Sequence, residues 1–149
     1  MTRRFKLEAV LNHRRHYEDV VHKRYAEAVQ LLRKQQDHLA EMEMKHREYR
    51  QILRHKLSRG DTAAEILMYT RYLDRLDNEI LMQQKVVRAH LKEKEAQRRS
   101  LMAAVKDRKV IEKLKEHHQN QLEIEERGRE QKLLNEVAIT RYQRAGKEA

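Results

Sequence analysis

One short stretch, Ser58-Arg59-Gly60-Asp61-Thr62, holds nearly all the turn chemistry of this 149-residue chain. There is no Pro anywhere and there are only three Gly. Sheet-based domains need turn residues about every ten positions, so a sandwich, a barrel or a doubly wound sheet is hard to build. Charged residues make up 39% of the chain and mean hydropathy is −1.05. The dominant residues (Ala, Glu, Lys, Leu, Arg, Gln) are good helix formers. So polar a chain could also be disordered, and periodicity decides between the two.

The periodicity is heptad. Before Gly60 one series at seven-residue spacing reads Leu7, Arg14, Val21, Ala28, Gln35, Met42, Tyr49. A second, four residues on, reads Leu11, Glu18, Tyr25, Leu32, Leu39, His46, Leu53. Ten of these fourteen residues are apolar, whereas the positions between them are mostly Arg, Lys, Glu, Gln and His. A narrow seam held in phase this long indicates a coiled coil and not one wide face of a globular helix. Beyond the turn an apolar series resumes as Ile66, Tyr69, Leu73, Leu76, Ile80, Val87, Leu91, Leu101, Val105, Ile111, Leu114, and it weakens around Lys94 to Arg98.

The turn residues indicate how the two helices join. Gly60 suits the left-handed position after a helix C-terminus. Thr62, with Glu65 three residues later, reads as a capping box that opens the next helix. The expected fold class is therefore all-α, a long antiparallel two-helix coiled-coil hairpin forming a single domain over 1–149. Helix 1 is expected over about 3–57, the turn over about 58–62 and helix 2 over about 63–145. If the tip lies near residues 60 and 61, residue i faces roughly residue 121 − i. At ~1.5 Å per residue the helices would span on the order of 80 and 120 Å. The stretch from Gln121 to about Ala145 would then overhang, carrying Leu122, Ile124, Leu133, Leu134, Val137, Ile139 and Tyr142 without an intramolecular cover. Apolar residues left in that position call for a partner.

The net charge is +10, which suits nucleic acid, anionic lipid or an acidic protein. The excess is concentrated before the turn, with 15 Lys and Arg against 8 Asp and Glu up to Gly60, and 19 against 16 beyond it. A basic zipper for DNA would gather its cations in one block ahead of clean Leu heptads, and this chain does not. Catalysis finds no footing. His13 and His16 share a face but have no carboxylate placed with them, and no HExxH occurs. There is no Cys, no glycine-rich phosphate loop and no nucleophile elbow around Ser58 or Ser100. A two-helix rod also lacks a concave pocket that excludes water. No catalytic residue, cofactor or metal is expected. No run approaches the ~20 apolar residues of a membrane helix, and the segment after Arg4 contains Lys6 and Glu8, unlike a signal peptide. A soluble, cytoplasmic, monomeric hairpin is expected.

The opening Phe5-Lys6-Leu7-Glu8-Ala9-Val10-Leu11-Asn12-His13-Arg14 reads F-x-L-x-x-[VL]-L-x-x-[RK] and resembles the start of the FliJ family of flagellar type III export proteins. Glu48-Tyr49-Arg50, Gly60, then Tyr69, Tyr72, Leu73, Leu76, Ile80 and Gln83 follow its pattern around the hairpin tip. Lys132-Leu133-Leu134-Asn135-Glu136 and Ala138 resemble its K-x-x-D-E-x-A segment, with Asn135 where Asp is usual. Lys45 likewise stands at a position that is often aromatic in the family.

That resemblance implies a stalk of the export machine. The paired ends would insert into the hexameric ring of the export ATPase FliI, in company with its regulator FliH, and promote its activity. Phe5, Leu7, Leu11, Arg14, Leu122, Leu133, Leu134 and Val137 are the implied ring contacts. The cytoplasmic domain of the export gate protein FlhA would meet Met42, Tyr49, Tyr72, Leu76 and Gln83. Some members also handle empty export chaperones. The implied location is the cytoplasm, peripheral to the inner face of the cell membrane at the flagellar base. Two other readings stay open at this point: an injectisome stalk of virulence secretion, and a basic coiled-coil scaffold for nucleic acid.

Overall fold

The computed structural model describes residues 4–148. Two α-helices make up most of them, α1 (Glu8–Arg59) of 52 residues and α2 (Ala63–Glu148) of 86 residues. The helices pack against each other as an antiparallel hairpin with the second longer, as the periodicity predicted. The start expected near residue 3 lies outside the described residues, and residues 4–7 precede the helix. There the Glu8 N–H donates to the Phe5 carbonyl at 3.3 Å and the Leu11 N–H to the Leu7 carbonyl at 2.9 Å, so the chain turns before the first helical residue.

The connection is a left-handed helix stop. Gly60 has φ +73°, a conformation that costs residues with a Cβ. The Asp61 N–H reaches back to the Lys56 carbonyl at 3.2 Å, the six-to-one bond of a Schellman ending. Where that motif usually closes with an apolar contact, Lys56 Nζ pairs with Asp61 at 3.7 Å. Thr62 then caps α2, its carbonyl accepting the Ile66 N–H at 3.2 Å. The expected capping box is altered: Glu65 turns its carboxylate to Lys56 Nζ at 3.3 Å, because a cation across the hairpin is a stronger partner than a backbone amide.

The chain divides into two compact units, Met1–Glu18 with Ala104–Ala149, and Asp19–Ala103. Within each, α1 presents the two predicted heptad series. Every member from Leu11 to Leu53 is buried or half-buried, while Leu7, ahead of the helix, is exposed. Burying one such Leu contributes about 1.5–3 kcal/mol. The four polar members of these series each take a partner on α2. In the first unit Arg14 meets Asp107 at 3.4 Å and Glu18 meets Arg108. In the second, Gln35 receives the Gln83 amide at 2.9 Å and His46 meets Asp77 at 2.7 Å. Polar groups that must be satisfied inside a seam fix its register, and these pairs follow the expected relation of i to roughly 121 − i.

On α2 the seam is more regular than its apolar residues suggest. Two strict seven-residue series are buried or half-buried throughout: Ile66 through Leu73, Ile80, Val87, Lys94, Leu101, Arg108 and Lys115 to Leu122, and Tyr69 through Leu76, Gln83, His90, Gln97, Ala104 and Ile111 to His118. Leu91 and Leu114, expected in the seam, stand 45% and 46% exposed. The cause is the facing helix. A partner with a seven-residue repeat admits only positions in phase with it, even when the residue there is His90 or Lys115 and an adjacent Leu is more apolar. Long polar side chains tolerate such positions by laying their stems along the seam and sending the charged head outward. Around Lys94 the seam is polar, as expected, and α2 runs through it and through Gly128 without a break.

Candidate functional site

Two zones gather the residues singled out from the sequence. The first lies in the unit Asp19–Ala103, near the tip. Tyr49 enters from α1 and meets two rings of α2, Tyr72 at a centroid distance of 4.6 Å and Tyr69 at 6.1 Å. The rings are tilted by 47° and 37°, within the range aromatic pairs favour. Lys56 Nζ stands 5.2 Å from the Tyr69 centroid while holding Glu65 and Asp61. Its pKa is raised, first by the hydrogen bond to Glu65, which stabilises the ammonium form. A continuous set of contacts thus joins the turn to the aromatic cluster.

The five residues assigned to a gate contact do not form one surface. Tyr72 is 37% exposed, but Leu76 is only 4% exposed and belongs to the seam. Tyr49, Met42 and Gln83 are half-buried. Gln83 is engaged across the hairpin, donating to the Gln35 carbonyl at 3.0 Å and to its Oε1 at 2.9 Å. Met42 and Gln83 do share a shallow groove, with His38, Glu79, Met82 and Val86 along its walls. Tyr69 and Lys56 belong to the zone on geometry and were not among the residues assigned to the gate contact from the sequence. The signal was present, because Lys56 continues the Leu7 series by one heptad beyond Tyr49.

The second zone lies in the unit Met1–Glu18 with Ala104–Ala149. Phe5 packs on His118 with ring centroids 5.7 Å apart, and Lys115 Nζ lies 2.9 Å from Glu8. Arg108 is bridged by Glu18 and by Glu112, the latter at 2.8 Å, and Arg15 adds a 3.6 Å contact to Glu112. Arg108 holds its proton more tightly through Glu18 first and Glu112 second. The Glu112 carboxyl is held below its ordinary value, chiefly by the hydrogen bond from Arg108. Leu11 is fully buried and packs the seam, and Arg14 is spent on Asp107. Leu122 is the last half-buried residue among those described.

Beyond Leu122 every described residue to 148 is exposed. The next in-phase positions are Glu125, Arg129, Lys132 and Glu136, so the seam ends in the sequence as well as in the packing. The apolar residues of this single helix are left open: Leu133 at 62%, Leu134 at 63% and Val137 at 43% exposure. Among the described residues no cluster of three or more His, Asp or Glu could hold a metal ion, and no helix is long and apolar enough to cross a membrane. The family model of the flagellar FliJ protein matches residues 3–147. The chain belongs to the flagellar FliJ family. No curated protein and no solved structure matches it. Membership makes this FliJ-family chain a component of flagellar protein export. The match spans both zones and the turn.

Proposed function

We propose that this FliJ-family protein is a cytoplasmic stalk of the flagellar type III export apparatus, with its C-terminal helix seated in the ring of the export ATPase FliI. The observation that carries the proposal is the exposed single helix after Leu122, with Leu133, Leu134 and Val137 open along it. Two helices side by side are about 20 Å across and one is about 10 Å, so the unpaired end is the part that fits deepest in a narrow axial hole. Apolar walls there would cover surface that otherwise faces water. Phe5, Leu7 and Leu122 would lie at the mouth, while Leu11 and Arg14 serve by holding the paired helices together.

On this reading FliH accompanies the ATPase, and the tip zone reaches the cytoplasmic domain of the gate protein FlhA. Of the tip residues, Tyr72 is the one whose exposure best supports a direct contact, with Tyr49 and Met42 behind it. Escort of empty export chaperones and a peripheral place at the inner face of the membrane belong to the same reading. The family match supports the flagellar system over an injectisome. The test is truncation after Gln121 followed by measurement of ATPase stimulation. Stimulation is expected to vanish while the remaining hairpin keeps its helicity; undiminished stimulation refutes insertion.

A further inference from the structure

A row of cations on α2, within the unit Asp19–Ala103, forms no ion pair among the described residues. Arg75 pairs with Glu79 at 3.1 Å, Arg98 with Glu95 at 3.2 Å and Lys56 with Glu65 at 3.3 Å. Arg88 and Arg99, by contrast, donate only to carbonyls of their own helix, Gln84 and Glu95, each at 3.4 Å. Arg71, Lys85 and Lys92 make no hydrogen bond or ion pair among the described residues. Lys85, Lys92 and Arg99 repeat at seven residues, and Arg88 sits between the first two at helical-neighbour spacing. Like charges three and four residues apart, such as Lys85, Arg88 and Lys92, destabilise a helix.

Beside this row runs an apolar one with the same repeat. Met82, Ala89, Ala96 and Ala103 stand at strict seven-residue intervals, and all are exposed. Leu81, Val86 and Met102 flank them at 56%, 38% and 47% exposure. Both rows are out of phase with the buried seam, so they lie on a second face of the same helix. A heptad repeat of apolar positions bordered by heptad-spaced charges is the pattern by which one helix receives another. We infer that the 81–103 face of α2 docks an amphipathic helix of a separate protein, one with an apolar stripe and acidic flanks. Pairing of this face with itself in a second copy is disfavoured, because it would set Lys85, Lys92 and Arg99 against like charges. Nucleic acid and anionic lipid would use the cations but leave the seven-residue apolar row without a purpose. This inference does not depend on the ATPase contact, which lies in the other unit.

The test uses the full chain and a labelled synthetic peptide of about four heptads, Leu at its seam and Glu at its flanks, in fluorescence anisotropy. The variants are Lys85→Glu/Lys92→Glu/Arg99→Glu on the face and Arg24→Glu/Lys34→Glu/Arg47→Glu on α1 as a control of equal charge change. The peptide is expected to bind the wild-type chain with steep salt dependence, to weaken at least about tenfold with the α2 variant and to be unaffected by the α1 control. A Lys-for-Glu peptide is expected not to bind. Should the reversals reduce helicity by circular dichroism, Lys85→Gln/Lys92→Gln/Arg99→Gln replaces them with the same expectation. Equal binding by the α2 variant or by the Lys peptide overturns the inference. So does tighter binding of a short DNA duplex or of phosphatidylserine vesicles through the same three cations.

Discussion

Leu76 and Tyr72 are neighbours in the sequence with opposite surroundings, and truncating each separates packing from recognition. Leu76 is 4% exposed, whereas Tyr72 is 37% exposed and leans on Tyr49 at 4.6 Å. Leu76→Ala removes three carbon groups from the seam, at about 0.8 kcal/mol each, for a loss of about 2.4 kcal/mol. That figure belongs near the lower end of the 2–5 kcal/mol found in globular cores, since a two-helix seam has no third layer to leave a closed cavity. It corresponds to about a fiftyfold fall in the folded-to-unfolded ratio. Tyr72→Ala forfeits one ring pair, about 0.5–1.5 kcal/mol, together with a part of its area that is already wet. Urea denaturation followed by circular dichroism at several temperatures gives both values. The same two variants, measured at a temperature where both are folded, then report on binding to the FlhA cytoplasmic domain. Binding is expected to fall with Tyr72→Ala and to persist with Leu76→Ala. A Leu76→Ala loss below about 0.5 kcal/mol would refute the assignment of that residue to the seam, and equal losses from both variants would make Tyr72 a packing residue.

Gly60→Ala meets no atom within 4 Å of the new Cβ, so its cost is the left-handed backbone alone, about 1–2 kcal/mol, read as a lower thermal midpoint with unchanged helicity. Glu112 has a folded pKa below its ordinary value of 4.5, so its contribution is present above that value and is lost as pH falls through the folded one. Acid titration of helicity is therefore expected to be shallower below pH 4.5 in Glu112→Gln than in the wild-type chain. Lys56 has the opposite sign: its raised pKa contributes fully below 10.5 and fades as pH climbs past it, so Lys56→Met should flatten the alkaline limb. Gln83→Leu leaves the half-buried Gln35 amide without its partner at a cost of about 1–3 kcal/mol. The double Gln35→Leu/Gln83→Leu should restore stability but loosen register, seen as extra cross-links between introduced cysteine pairs.

The sequence by itself determined the class of fold, the place of the turn and the α1 seam. Each follows from local chemistry: no Pro, Gly60 where a left-handed residue is needed, and apolar residues held to a seven-residue phase. It also showed where that phase ends, since Glu125, Arg129 and Lys132 stand where seam residues would be. The candidate site was legible in part. Tyr49 and Tyr72 meet as the register required, and Leu76 is buried as its place in the α2 apolar series requires, not open as the family resemblance implied. Only the tertiary structure decided which polar residues complete the α2 seam. Hydrophobicity alone favoured Leu91 and Leu114; the facing helix admitted His90 and Lys115, the residues in phase with it. The partners of Arg14, Glu18, Gln35 and His46 were hidden for the same reason. A polar residue in a heptad announces that it must be satisfied, but which residue satisfies it depends on an alignment good to about one position, and that alignment is set jointly by every contact between the two helices.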